Sequence, residues 1–349
     1  MSIFRGSDEM RSKLFKAFLV IYGLTVGFFM GMNDLVAKTI LRMGTLAPSG
    51  SSWMNVADEL EKAVEQKSNG EIDIIWYSGG IMGDEADMVR KMRLKQLQGA
   101  AFTGVGLGKI LPEERILELP LVIGNTEEID KVLNELTPYF ASKFEAKGFK
   151  LMGWAEQGFV YLFTKKHIRT FDDLRGVKIW VWAGDDFAME IFKSIGIITP
   201  VPIAVPEVLT ALQTKLIDAF YNTPLGTVAL QWQPYVSHMT NYPICYGSAA
   251  LVLSKGSFDR LKLEYQDLLA KEFEKYARKI AVVARKDNEE ILSAFSGRGI
   301  TLTSLDDEIK KDLQKRFDSM YVNLAGKQYP LSLLKQMLSV LGKPLPGSQ

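Results

Sequence analysis

Cysteine and histidine are nearly missing from this chain of 349 residues: Cys245 is the single cysteine, and His167 and His238 are the only histidines. One thiol cannot close an intramolecular disulfide or build a cysteine-based metal cage, so the fold has to be stabilised by its apolar core. Excess charge of one sign is missing too. With 42 Lys and Arg against 41 Asp and Glu the formal charge is +1, which leaves no positive field to hold a phosphate backbone and argues against a nucleic-acid partner. What is present, 47% hydrophobic and 24% charged residues, is ordinary for a soluble globular protein, and the length accommodates two domains.

Catalytic constellations are equally thin. His167 sits among Lys165, Lys166 and Arg169, where a solvated or hydrogen-bonded role is favoured over acid–base work, and His238 lies in an amphipathic segment. The run "TGVGLGK" (103–109) matches neither GxGxxG nor GxxxxGK, and a tight strand-to-loop turn accounts for its glycines. Asp185 and Asp186 have helix-cap chemistry available to them. No nucleophile has a base beside it, no carboxylate cluster suits a metal, and neither a catalytic residue nor a cofactor is expected.

Long apolar runs are confined to the N-terminus. Arg11, Lys13 and Lys16 precede the uncharged stretch "AFLVIYGLTVGFFMGM" (17–32), and Asn33 and Asp34 restore polarity. That order of basic, apolar and polar regions is the order of an export signal. The stretch is shorter than the roughly 20 residues of a comfortable membrane span, yet "NDLVAKT" offers no clean small-x-small cleavage site. A cleaved signal and a retained anchor both stay open.

Beyond Thr39 short apolar runs alternate with amphipathic ones. "ILRMGTLA" (40–47), "EIDIIWY" (71–77), "GAAFTG" (99–104), "FKLMGWA" (149–155), 159–164, 177–182 and "IDAFYNT" (217–223) read as strands. Helices are expected after Ser52 and over about 84–97, 127–147, 186–194 and 206–215, and Trp53, Val56, Ala57, Leu60 and Val64 share one helical face, which assigns Trp53 to the core. The pattern predicts an α/β fold with largely parallel sheets. Residues 264–296 contain neither proline nor glycine and carry apolar residues at helical spacing, so one long helix, or two nearly collinear ones, is expected there.

The phrases "GGIMGDEADMVRKMRLKQLQGAAFTGVGL" (79–107), "ELPLVIGNTEEIDKVL" (118–133), "IRTFDDLRGVKI" (168–179) and "PEVLTALQTKLIDAFYNTPLG" (206–226), in this order and spacing, resemble the extracytoplasmic solute-binding proteins of tripartite ATP-independent periplasmic (TRAP) transporters, the DctP-like family. The resemblance runs from about Leu41 to Leu302. It implies a two-lobed clamshell with crossing hinge strands, a long helix spanning both lobes, and a ligand delivered to membrane permease subunits rather than turned over. It divides the chain into an export signal or anchor (1–38), lobe I (39–157 plus about 249–287), lobe II (158–248 plus about 288–330) and a C-terminal tail (331–349). A periplasmic location follows, with tethering to the inner membrane if the N-terminal segment is retained.

The family's usual ligand is an organic acid, held by an arginine in the strand after the "DDLRGVK"-like phrase. A guanidinium fork suits a planar carboxylate. Here that place is Trp180, and a second arginine found in some members maps onto Val160. Trp180 and Trp182 point to one face of a strand, so a less polar ligand, aromatic, terpenoid or lipid-like, is expected against them. Asn222 matches a position that often hydrogen-bonds the ligand, Tyr221 lies beside it, and Phe102, Thr103 and Glu156 are further candidates for the cleft. A carboxylate ligand held by another cation, such as Arg90, Arg93 or Arg115, is the alternative, as is a sensing clamshell coupled to a signalling partner. An enzyme would need the missing acid, base or nucleophile, and a scaffold would need no enclosed cleft.

Overall fold

The computed structural model describes residues 38–196 and 199–346. The expected export signal or anchor lies outside them except for Lys38. Among the described residues no helix is long and apolar enough to cross a membrane.

The chain opens as the alternation predicts: β1 (Thr39–Gly44), α1 (Ser52–Lys67), β2 (Ile72–Tyr77), α2 (Glu85–Arg93), β3 (Gly99–Thr103) and α3 (Gly104–Ile110). A single-turn-rich 3-10 segment, Pro112–Glu118, leads to α4 (Thr126–Ala146). Then come β4 (Phe149–Thr164), β5 (Lys178–Trp182), α5 (Asp186–Ile195), β6 (Thr199–Ile203), α6 (Val205–Gln213), β7 (Ala219–Asn222) and α7 (Pro224–Ala229). The chain ends with β8 (His238–Thr240), β9 (Cys245–Ser254), α8 (Lys255–Phe258), α9 (Leu263–Ala294), β10 (Thr301–Thr303), α10 (Asp307–Leu324) and α11 (Leu331–Val340).

The strands form one sheet in the order β2-β1-β3-β9-β4-β7-β5-β6, with β8 against β4 and β10 beyond it. The outer pairs β1/β3, β5/β6 and β5/β7 are parallel, as the βαβ alternation requires. The central pairs β3/β9, β9/β4 and β4/β7 are antiparallel. The sheet is therefore mixed rather than largely parallel, because two long strands cross from one half to the other. The 16-residue β4 merges the two short strands expected at 149–155 and 159–164: its first part pairs with β9, its last residues with β7 and β8. Register shifts at Leu151/Gly153 and Glu156/Gly158 bend it, and Gly158 takes φ +109°, which only glycine adopts readily.

The 32 residues of α9, roughly 48 Å at 1.5 Å per residue, lie along β4 and touch α1 in one half and α7 in the other. Gly153 admits this approach, since a Cβ there would press on Ala277 and the α9 backbone. Asn288 fastens the helix: its amide donates to Gln157 O (2.7 Å) and Ala284 O (2.8 Å) while its oxygen accepts from Leu225 N at 2.9 Å. Val56, Leu60 and Val64 of α1 share a buried cluster with Leu269, Phe273 and Ala277 of α9. Trp53, on the expected core face, is half-buried: it packs against this cluster and also lines a cavity. The segment expected as a tail carries α11, whose Leu333, Leu334, Met337 and Leu338 are buried and which packs on α4.

Candidate functional site

Where the two halves of the sheet meet, the ends of β3, β5 and β7 and the middle of β4 enclose a cavity of about 280 Å³. Trp180, Trp182, Tyr221, Asn222, Val160, Phe102, Thr103 and Glu156 all line it, so the structure brings all eight sequence candidates to one cavity. Their circumstances differ. Trp180 is 3% exposed, stacks on Tyr221 at 4.9 Å between ring centroids and meets Trp232 edge-on. Its indole N–H is given to Ile203 O on the neighbouring strand at 2.9 Å, so this tryptophan offers ring surface and no donor. Trp182 shares its face, with the two rings 5.9 Å apart, as strand alternation requires. Glu156 is paired with Arg285 (2.7 Å), which also grips Asp130 through both terminal nitrogens. Phe102 is almost fully buried and packs over the helix that follows it.

The cavity also has an ionisable end that the sequence reading left almost unmarked. Arg115 is buried in its wall, with one nitrogen on both Glu118 (3.1 Å) and Asp185 (3.0 Å) and the guanidinium 4.8 Å from the Phe187 ring. Arg90 and Arg93, named beside it as alternatives, point elsewhere: Arg90 is exposed on Asp87, and Arg93 is exposed near Lys109 O. Ser248 Oγ lies 2.8 Å from Glu114 and 3.0 Å from Glu118. A hydroxyl has one proton, so both contacts are favourable only if one carboxyl is protonated and donates back. Burial, reinforced by the Glu118 charge, pushes Glu114 upward and makes it the holder of that proton. Burial also raises Glu85 to about 8, against the opposing pull of bonds from Thr103 N (2.8 Å), Thr103 Oγ1 (2.8 Å) and Gly106 N (2.6 Å).

These groups explain "TGVGLGK". It is neither a phosphate loop nor a loop turn but helix α3, capped by Thr103. A Cβ at Gly104 would collide with Glu118, at Gly106 with Glu85 and Phe102, and at Gly108 with Arg115. The alternating glycines make room for three buried ionisable side chains, and they were the one sequence signal that could have found them. Asp185 does cap α5, accepting from Ala188 N at 3.2 Å, and its second oxygen takes Arg115.

Three contacts join the first half to the corner between β5 and α5. Trp182 donates its indole N–H to Asp84 at 2.8 Å, Lys109 reaches Gly184 O at 2.7 Å, and Arg115 meets Asp185. Each has one partner in 84–115 and the other in 182–185, so this corner is held from across the cavity. His167 and His238 stand 5.5 Å apart elsewhere, with His238 on Ser237. Among the described residues no group of His, Cys, Asp or Glu has the geometry to hold a metal.

A central mixed sheet, long crossing strands and a helix along both halves define the two-lobed fold of periplasmic binding proteins. Residues 43–328 match the family of bacterial extracellular solute-binding proteins, family 7 (DctP), and the chain belongs to that family. Its members are the non-enzymatic receptors of TRAP transport. A solute-binding protein of Verminephrobacter eiseniae is 25% identical over 64% of this chain and 67% of its own length. The sialic acid-binding periplasmic protein of Vibrio cholerae is 24% identical over 81% and 89%. Among solved structures, a TRAP periplasmic solute-binding protein of Haemophilus influenzae with bound L-gulonate superposes with a TM-score of 0.81 at 20% identity, covering 87% of this chain and all of that one. One from Citrobacter koseri with bound D-glucuronate gives 0.79 at 22% identity, covering 86% and 99%.

Proposed function

We propose that this receptor captures a small, largely apolar molecule in the cavity between its lobes and hands it to the membrane permease of a TRAP transporter. The observation that carries the reading is the state of the cations. The two positions where the family resemblance would put arginines hold Trp180 and Val160, and Arg115, the one cation among the described lining residues, is already matched by Glu118 and Asp185. The wall that remains, Trp180, Tyr221, Phe192, Val160, Leu46 and Ile191, suits apolar contact and aromatic stacking. The N-terminal basic and apolar regions support work outside the cytoplasm, and the lobes of 39–157 with about 249–287 and 158–248 with about 288–330 would close over the ligand about β4 and β9. Residues 331–346 would then belong with lobe I, since α11 packs on α4.

A second reading is favoured by the solved relatives, whose bound molecules are sugar acids. In it Arg115 exchanges Asp185 for a ligand carboxylate. Native mass spectrometry of protein exported by its own host, followed by denaturation and identification of what is released, separates the two. A released lipid, terpenoid or aromatic compound supports the apolar reading, and a small carboxylate overturns it. Trp180→Ala should weaken binding of the released compound at least tenfold, read by calorimetry; unchanged affinity would remove Trp180 from the contact surface.

A further inference from the structure

The apolar wall leaves open what the polar end of the ligand is, and the hydrogen-bond inventory of the ionisable end answers it. Tyr221 accepts a bond at its hydroxyl from Trp182 N at 3.3 Å, while no bond donated by that hydroxyl is found among the described residues. Burial, with the charge of Asp185 acting in the same direction, keeps its proton in place. Arg115 spends one terminal nitrogen on two carboxylates and one face on Phe187, and its Nε is buried without a partner. Both residues are tied to the same corner, Tyr221 to Trp182 N and Arg115 to Asp185 three residues on. The Tyr221 hydroxyl thus stands as a donor without an acceptor, beside a guanidinium whose charge is already offset twice.

A buried donor left unpaired is costly, so the occupant that completes this site brings an oxygen acceptor. A carboxylate would be a third anion around one cation. An ammonium would find Glu118 and Asp185 occupied and would face the Arg115 charge. We infer that the ligand carries an uncharged acceptor oxygen, a carbonyl, ether or hydroxyl, received by the Tyr221 hydroxyl, and that its apolar body lies along Trp180. This rests on the apolar-ligand reading above and narrows it from any hydrophobic molecule to a neutral, singly oxygenated end.

Three probes of one shape test it on the full exported chain after its co-purifying ligand has been removed: 2-isopropylnaphthalene, 2-acetonaphthone and 2-naphthoate, titrated by calorimetry at pH 7. The ketone should bind about tenfold tighter than the hydrocarbon, the worth of one hydrogen bond to a buried donor, and the naphthoate should bind weakest. Tyr221→Phe, which keeps the ring on Trp180, should collapse the ketone-to-hydrocarbon ratio to about one. Trp180→Leu should weaken both while preserving their ratio, which guards against a fold defect being read as a lost bond. A ketone advantage that survives Tyr221→Phe, a ketone no better than the hydrocarbon, or a naphthoate that binds tightest would each overturn the inference. If none of the three binds, the apolar reading itself fails, an outcome distinct from equal binding of ketone and hydrocarbon.

Discussion

The two halves of the molecule each present a strand-to-helix corner to the cavity, and the corners are built alike but closed by different chemistry. In the first, α2 is followed by Lys95 at φ +62°, β3 comes next, and Thr103 caps α3. In the second, α6 is followed by Lys215 at φ +59°, β7 comes next, and Thr223 caps α7. Phe102 and Asn222 sit one residue before their caps, and each lies over a glycine of the helix that follows, Gly106 or Gly226. The first corner is closed by the Glu85 carboxyl group, which takes Thr103 and Gly106. The second is closed by amides, Asn222 on Thr223 N (2.8 Å) and Asn288 on Leu225 N (2.9 Å). One backbone plan thus carries a titratable, fully buried wall on one side of the ligand space and a neutral, half-buried one on the other. The polar chemistry of the cavity is concentrated in the first half.

That asymmetry breaks most severely at Arg115. Arg115→Met leaves Glu118 and Asp185 without their shared cation, and removal of one partner from a buried ionic group costs about 3–5 kcal/mol. Urea denaturation should show that loss, and a change below about 1 kcal/mol would mean the carboxylates are compensated otherwise. Truncating each corner's closing side chain comes next. Glu85→Ala empties a fully buried position and takes the acceptor from the Thr103 and Gly106 N–H groups, an expected loss of about 2–4 kcal/mol, against about 1 kcal/mol for Asn222→Ala, a half-buried side chain that gives up one bond, from Thr223 N. Equal losses would erase the distinction between the corners.

How much of this was readable in advance follows from which forces act locally. The helix of α9, the caps at Asp185 and the strand of Trp180 and Trp182 are set by periodicity and by side chains adjacent in sequence, and the reading found them. The strand Cys245–Ser254 was missed and the sheet was taken as largely parallel, because β9 earns its place only by pairing with β3 and β4, residues roughly 100–150 positions away. Trp53 was legible in part: helical spacing places it against the α1–α9 core, where it packs, but does not show that it also borders the cavity. The eight candidate residues reached the cavity wall because family resemblance supplied long-range placement. Glu85 and Glu118 did not announce themselves. A buried carboxylate looks like a surface one in sequence, and only the glycines at 104, 106 and 108 marked where such groups press on a helix.

The titratable wall can be read without mutation. Glu85 is raised by burial from 4.5 to about 8, and Glu114 is shifted in the same direction. Between about pH 4.5 and 8 the unfolded chain releases these protons while the folded chain keeps them, so stability falls as pH rises across that window and levels off above it. The sign is opposite to that of a salt-bridged carboxylate. Unfolding free energies at pH 5, 6.5 and 8 should decline in that order, and Glu85→Gln should flatten the slope. Asn222→Asp asks whether the second corner tolerates a charge at all. A slope unaltered by Glu85→Gln would place the titration elsewhere in the cavity.

The smallest effect concerns reach. Helix α3 of the first corner crosses the cavity through Lys109 to Gly184 O, whereas among the described residues no side chain of α7 makes a hydrogen bond or ion pair across it. Lys109 is exposed, so Lys109→Ala should change unfolding free energy by less than about 0.5 kcal/mol. Its acceptor, however, lies in the corner that Trp182 and Arg115 also hold from the first half, and a bond spanning the cavity opposes separation of the lobes even where it adds little to the fold. The expected signature is therefore kinetic: stopped-flow release of bound 2-acetonaphthone should quicken about twofold to fivefold with the melting temperature unchanged. Release at the wild-type rate would leave Trp182 with Asp84 and Arg115 with Asp185 as the contacts that keep the corner shut, and the exposed lysine as a bystander.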